Sequence, residues 1–155
     1  MTTLMGFLHV AGFTFWLGGA FALMMMGIAA RRMDRRAQGT LVRLQAAITR
    51  TVVTPGAAAT VVSGIILTFR AYPGTGEMMA PSVWLMVMQG TGLVAGVLTL
   101  ALTAPTAMRL ARIDPEGPHA AAFDALRKRQ KIVGASSGIL GLIALAAGVF
   151  LRYGI

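Results

Sequence analysis

Cysteine is absent from this 155-residue chain. That excludes disulfides, thiolate zinc sites, iron–sulfur clusters and covalently attached c-type haem. Acid is scarce: five Asp and Glu stand against 14 Lys and Arg. The five are Asp34, Glu77, Asp114, Glu116 and Asp124, and none interrupts a long apolar stretch. Proton pumping through a chain of buried acids therefore has no residues to run on. No carboxylate pair, no nucleophile with an ordered base and no phosphate-cradling glycine loop is present. Charge of either sign is thin, at 12% of residues against a usual ~25%.

What fills the chain is apolar. The hydrophobic fraction is 56% and the mean hydropathy +0.72. Met1 to Ala30 and Met78 to Met108 carry no charged side chain, nor do the shorter stretches from Thr51 to Phe69 and from Ile132 to Leu151. A helix needs roughly 20 apolar residues to cross the hydrocarbon core of a bilayer. The expected fold is all-α: an integral membrane four-helix bundle forming a single domain over 1–155, with helices near 4–29, 51–69, 81–108 and 132–151. Met1 to Val10 has no Lys or Arg, so it lacks the basic start of a signal peptide, and the first stretch is expected to stay as a helix.

The net charge of +9 would point to nucleic acid in a soluble protein. Its placement points elsewhere, and no nucleic acid is expected as partner. Arg31, Arg32, Arg35, Arg36, Arg43 and Arg50 lie between the first two apolar stretches. Arg109, Arg112, Arg127, Lys128, Arg129 and Lys131 lie between the last two. The middle loop has only Arg70 with Glu77, and the C-terminus only Arg152. Lys and Arg accumulate in cytoplasmic loops. Segments 31–50 and 109–131 should then face the cytoplasm, with both termini on the outer side. Membrane lipids are the expected partners, and Arg31, Arg32, Arg35, Arg36, Arg127, Lys128 and Arg129 the expected headgroup contacts.

Along the chain, the basic cluster ending at Arg36 should close helix one, and Gly39 should break the path. Leu41, Leu44 and Ile48 then recur at helical spacing, an amphipathic turn feeding helix two. Pro55 should bend helix two or free a carbonyl. Asp114 reads as the N-cap of a short amphipathic stretch around Phe123 and Leu126. Tyr72, Trp84 and Tyr153 would mark an outer aromatic belt. Small residues suit close helix packing in lipid: Gly92 and Gly96, Gly134 and Gly138, and the stripe Gly56, Thr60 and Gly64. Thr14, Thr60, Ser63, Gln89, Thr91, Thr99, Ser136 and Ser137 could bond across helices, a packing role rather than a catalytic one.

One ionisable residue lies inside an apolar stretch. His9 is costly at that depth, and such a residue marks a site by default. Met5, Phe13 and Trp16 share its helix face. Neutral imidazole suits haem iron or copper, and thioether is a soft partner for either. A neutral histidine bonded to water or a backbone carbonyl serves equally well. Most of the 11 methionines read as packing: Met24, Met25 and Met26 fan around the helix, and Met86 and Met88 point apart. Met78 and Met79 are more accessible. His119 reads as solvated.

The segment LHVAGFTFWLGG, Leu8 to Gly19, resembles the opening helix of several bacterial membrane families. They are the copper-resistance D proteins, the HemJ-type protoporphyrinogen oxidases and an uncharacterised group of small four-helix proteins. There a histidine precedes a Trp-x-Gly-Gly or Trp-x-x-Gly, as His9, Trp16, Gly18 and Gly19 do here. Arg50, Pro55 and Gly64 match the layout that follows, and FDALRKRQKIV, Phe123 to Val133, resembles the start of the last helix in the uncharacterised group. The resemblance implies the bacterial inner membrane and places haem b or copper on His9, with Met5 and Trp16 beside it. The HemJ-type oxidases also carry a lysine after a third-helix tryptophan. Here Trp84 is followed by Leu85, Met86, Val87, Met88 and Gln89, without one. Three expectations result: a redox or metal-handling protein holding haem b or copper at His9, a cofactor-free accessory subunit of a larger membrane complex, and a HemJ-like oxidase. A haem with no second in-span histidine would take a methionine, remain five-coordinate or draw on His9 of a second copy in a homodimer.

The absence of cysteine makes sidedness directly measurable. In intact cells a membrane-impermeant maleimide should label Thr75→Cys, and should reach Thr40→Cys only after permeabilisation.

Overall fold

The computed structural model describes residues 2–71 and 82–153, so Tyr72, Met78 and Met79 lie outside the described residues. Those described are all helical or in turns. They form α1 (Thr2–Ala29), α2 (Arg35–Ile48), α3 (Thr54–Ala71), α4 (Val83–Val97), α5 (Ala104–Leu110) and α6 (Ala120–Tyr153). A π-helical turn over Thr49–Val53 joins α2 to α3, and another over Leu98–Thr103 joins α4 to α5. The result is four continuous rods: α1, α2–α3, α4–α5 and α6. Each is long and apolar enough to cross a membrane. They pack in a ring, first on second, second on third, third on fourth and fourth on first.

The rods are longer than the apolar stretches that nucleate them. Arg35 and Arg36 do not close helix one; they open α2, because Asp34 caps it by accepting from the Ala37 N–H at 2.7 Å. Gly39 does not break the chain. It lies inside α2, where a Cβ would come within 2.9 Å of Pro115 Cγ, so the glycine admits the neighbouring loop rather than making a turn. Asp114 is not a helix N-cap: its side chain accepts from the Glu116 N–H within a turn, and α6 starts beyond Gly117, whose φ of +80° suits glycine. The segment around Phe123 and Leu126 is the first part of α6 itself. Val42, Leu110 and Phe123 bury one another at this basic end, where the rods extend past their apolar stretches and need a small core of their own.

The two π turns have one cause. Pro55 lies six residues after Thr49, and Pro105 six after Thr99. A proline lacks an N–H and its ring collides with the carbonyl four residues back. Widening the preceding turn by one residue relieves the collision without breaking the rod. The Thr54 N–H accordingly reaches the Thr49 carbonyl, and the Ala104 N–H the Thr99 carbonyl, both five residues back. Side chains register the widening. Hydroxyls of Thr49, Thr51, Thr60, Thr68, Thr91 and Thr99 bond to the carbonyl four residues earlier. Thr54 and Thr103, at the far edges of the π turns, find no partner for theirs among the described residues, each at a cost of ~1–3 kcal/mol.

The outside of the bundle is greasy. Phe7, Val10, Phe69 and Val83 are about two-thirds or more exposed. In water a continuous apolar surface of this kind drives association; against lipid tails it costs nothing. The interior is held by close approach. A Cβ on Gly56 would stand 2.8 Å from both the Gly12 carbonyl oxygen and the Trp16 nitrogen, and one on Gly12 would stand 2.9 Å from the Gly56 carbonyl oxygen. Gly96 meets Val61, where a Cβ would come within 2.5 Å. Gly92 has ordinary contact distance to Ala144, whereas Gly134 and Gly138 have open space where a Cβ would stand. Within one copy of the chain, no side chain or backbone among the described residues lies within 4 Å of where those two Cβ atoms would be.

These distances rank the glycines. Gly56→Ala must push backbone from backbone and should cost ~1–3 kcal/mol. Gly134→Ala should be neutral or stabilising by up to ~1 kcal/mol through helix propensity. Thermal unfolding followed by circular dichroism in detergent measures both.

Candidate functional site

His9 lies on α1 in the half of the bundle away from the two arginine clusters, half-buried against α3. Its Nδ1 is 2.9 Å from the Thr60 carbonyl oxygen. A carbonyl can only accept, so Nδ1 carries the proton and donates it. Ser63 Oγ lies 3.3 Å from the same nitrogen while giving its own hydrogen to the Ala59 carbonyl. The Thr60 carbonyl is within reach because Gly64 follows it: a Cβ there would stand 3.0 Å from His9 Cε1 and 3.2 Å from Nδ1. The ring is therefore held from behind, and Nε2 has no hydrogen-bond partner among the described residues.

A histidine that ligates a metal gives its other N–H to a carboxylate or a backbone carbonyl, and the bond to Thr60 leaves Nε2 of His9 open for such a use. The rest of the donor set is sparse. No group of three His, Cys, Asp or Glu side chains could share a metal among the described residues. Met5, one turn before His9, is half-buried on the same helix face. One imidazole suits haem iron, because the porphyrin supplies four further nitrogens; one imidazole and a thioether suit copper(I). The set does not suit zinc, magnesium or calcium, which need three or more protein ligands or oxygen donors.

Trp16, two turns beyond His9, has partners of its own. It is 4% exposed, packs edge-on to Phe13 at 6.2 Å, and donates from Nε1 to Thr99 Oγ1 at 3.1 Å. Thr99 also bonds Ser137 Oγ at 2.7 Å, and Ser137 reaches the Ala95 carbonyl at 3.1 Å. This network joins α1, the third rod and α6 at mid-bundle. A second cross-rod bond runs from Gln89 to Thr68 at 2.8 Å. The buried polar side chains are otherwise Thr and Ser, short enough to be satisfied by backbone. His9 and Trp16 thus share a helix face but not a set of partners. Thr60, Ser63 and Gly64 complete the histidine's surroundings; sequence spacing marks them only as a small, polar stripe.

At the basic end, Arg35 grips Asp124 with both arms, at 2.7 and 2.9 Å. That guanidinium holds the Asp124 carboxyl below the usual carboxylate range. Arg127 donates to Gln38 Oε1. A cleft of about 500 Å³ there has Arg36 and Arg43 on one wall and Asp114 and Glu116 on the other; it is remote from His9 and carries both signs of charge equally. Set against family models, curated proteins and solved structures, the chain matches none of them.

Thr99→Val removes the hub of the tryptophan network and leaves a buried indole N–H unpaired. It should lower stability by about 1 kcal/mol and shift the emission of Trp16, measured against a Trp84→Phe background.

Proposed function

We propose that this chain is a multi-pass protein of a bacterial inner membrane that holds a redox-active metal, as haem b iron or as copper, on Nε2 of His9. The observation that carries the reading is the hydrogen bond from His9 Nδ1–H to the Thr60 carbonyl. It spends the ring's one proton on the protein and turns the free lone pair away from α3. Gly64 leaves the room that lets the ring sit against α3. The ring of arginines supports an orientation with both termini outside, which places His9 in the outer half of the bilayer. Bound there, the metal would supply one-electron chemistry. The chain's own part is to orient the imidazole, set its tautomer and keep bulk water out with apolar neighbours.

A second reading has its own observation. Gly134 and Gly138 leave room on α6 where a Cβ would stand free, and a subunit of a larger complex would use such room to seat a neighbouring helix. The reading as a HemJ-like oxidase keeps its haem but has no counterpart here for the third-helix lysine.

Native protein purified in mild detergent should show either a Soret band or stoichiometric copper by elemental analysis. His9→Ala should abolish that signal while leaving the melting temperature within a few degrees. Gly64→Val, which displaces the ring without touching a ligand, should reduce occupancy at least tenfold. Protein containing neither haem nor copper, co-purifying with larger membrane partners, would establish the accessory-subunit reading instead.

A further inference from the structure

We infer that the basic end of the bundle carries a site for the headgroup phosphate of an anionic phospholipid, formed between the first and fourth rods by Arg31, Arg127 and Lys131. This rests on the membrane placement proposed above and not on a metal at His9.

Register brings the three together. Leu17 packs against Gly141, where a Cβ would be 3.3 Å from Leu17 Cδ1. The two rods run antiparallel, so equal counts from that contact bring Arg31 level with Arg127 and one turn below Lys131. Lys131 lies within electrostatic reach of both. On α6, Asp124, Arg127 and Lys131 follow at offsets of three and four, so they share a face.

Occupancy of the local partners then singles out what is left over. Asp124 is the acid within reach of this cluster, and both its oxygens are engaged by Arg35. Arg127 spends one N–H on Gln38, which is itself fixed to the Met33 carbonyl. Arg31 and Lys131 make no hydrogen bond or ion pair among the described residues. Two unpaired cations and a partly paired third are thus held together against their repulsion by the packing of two rods. An anion with several acceptor oxygens is the group that relieves this.

Depth decides the source of the anion. Arg31 directly follows one charge-free stretch and Lys131 directly precedes another. Ile28 and Ile132, next to them on the apolar side, are about half exposed. A phosphate at this level with acyl chains beside Ile28 and Ile132 is a phospholipid. Lys131 joins Arg31 and Arg127, two of the cations expected to meet headgroups, while Arg35 is bonded to Asp124.

The test uses the full chain in an uncharged detergent, with melting followed as phosphatidylglycerol, phosphatidylcholine or inorganic phosphate is added. Phosphatidylglycerol should raise the melting temperature saturably by several degrees, with phosphatidylcholine and inorganic phosphate at the same concentration giving less than a quarter of the shift. Arg31→Gln with Lys131→Gln should remove the shift, whereas Lys128→Gln with Arg129→Gln should keep it. Should the first pair fail to fold, Lys131→Gln alone should weaken the lipid midpoint at least threefold. Equal loss from both pairs would mean diffuse attraction and overturn the site; inorganic phosphate matching the lipid would overturn the lipid assignment. Release of the chain from membranes by salt would refute the membrane placement itself, and an empty His9 would leave this inference untouched.

Discussion

The rest of the bundle depends on the contact between Gly12 and Gly56. There the first and second rods approach until either glycine's missing Cβ would strike the other's backbone. Helices in an apolar medium gain little by hiding apolar side chains from it, so dispersion between closely approaching backbones must supply the attraction. That approach fixes the height and rotation of α1 on α3. It sets His9 above Gly64 and Thr60 on one side of the crossing. On the other it directs the Trp16 indole across to Thr99. A looser crossing would lose both hydrogen bonds together.

Polar groups in the interior follow one rule: they are small, and backbone satisfies most of them. A threonine hydroxyl can bond to its own helix four residues back and still share its lone pairs with a neighbour, as Thr99 does with Trp16 and Ser137. The π turns show the limit of that rule. Where Pro55 and Pro105 require a wider turn, the hydroxyls at its edge lose the carbonyl they would have used. The chain accepts two unsatisfied hydroxyls to keep two rods unbroken. The clustered ionic groups lie at the basic end, where Arg35 and Asp124 tie the start of the second rod to the fourth.

Much of this was legible in the sequence because the relevant signals are local. Charge-free stretches of twenty to thirty residues announce four apolar helices, and arginine clusters announce which ends lie together. His9 stands out because it is the one titratable side chain in those stretches. Its partners did not stand out. Thr60 and Gly64 read as packing residues, and a backbone carbonyl has no signature in sequence at all. Gly134 and Gly138 show the limit of spacing: it states which residues share a face and not what lies opposite, and within one copy a Cβ there would meet nothing among the described residues. Asp114 has the side chain of a capping residue, but the path of the chain gives the cap to Asp34 instead.

By itself, then, the sequence determined the fold class, the number of apolar rods, the two-ended distribution of charge and the identity of the ionisable residue worth examining. Each of these is a sum or a periodicity along one segment, which distant residues cannot alter. The tertiary structure decided how the rods cross, which glycines bear that crossing, that Trp16 belongs to a packing network while His9 stands apart, and that the imidazole is held through Nδ1. Those depend on rotation and height of one rod against another, quantities set by contact between residues fifty or more positions apart.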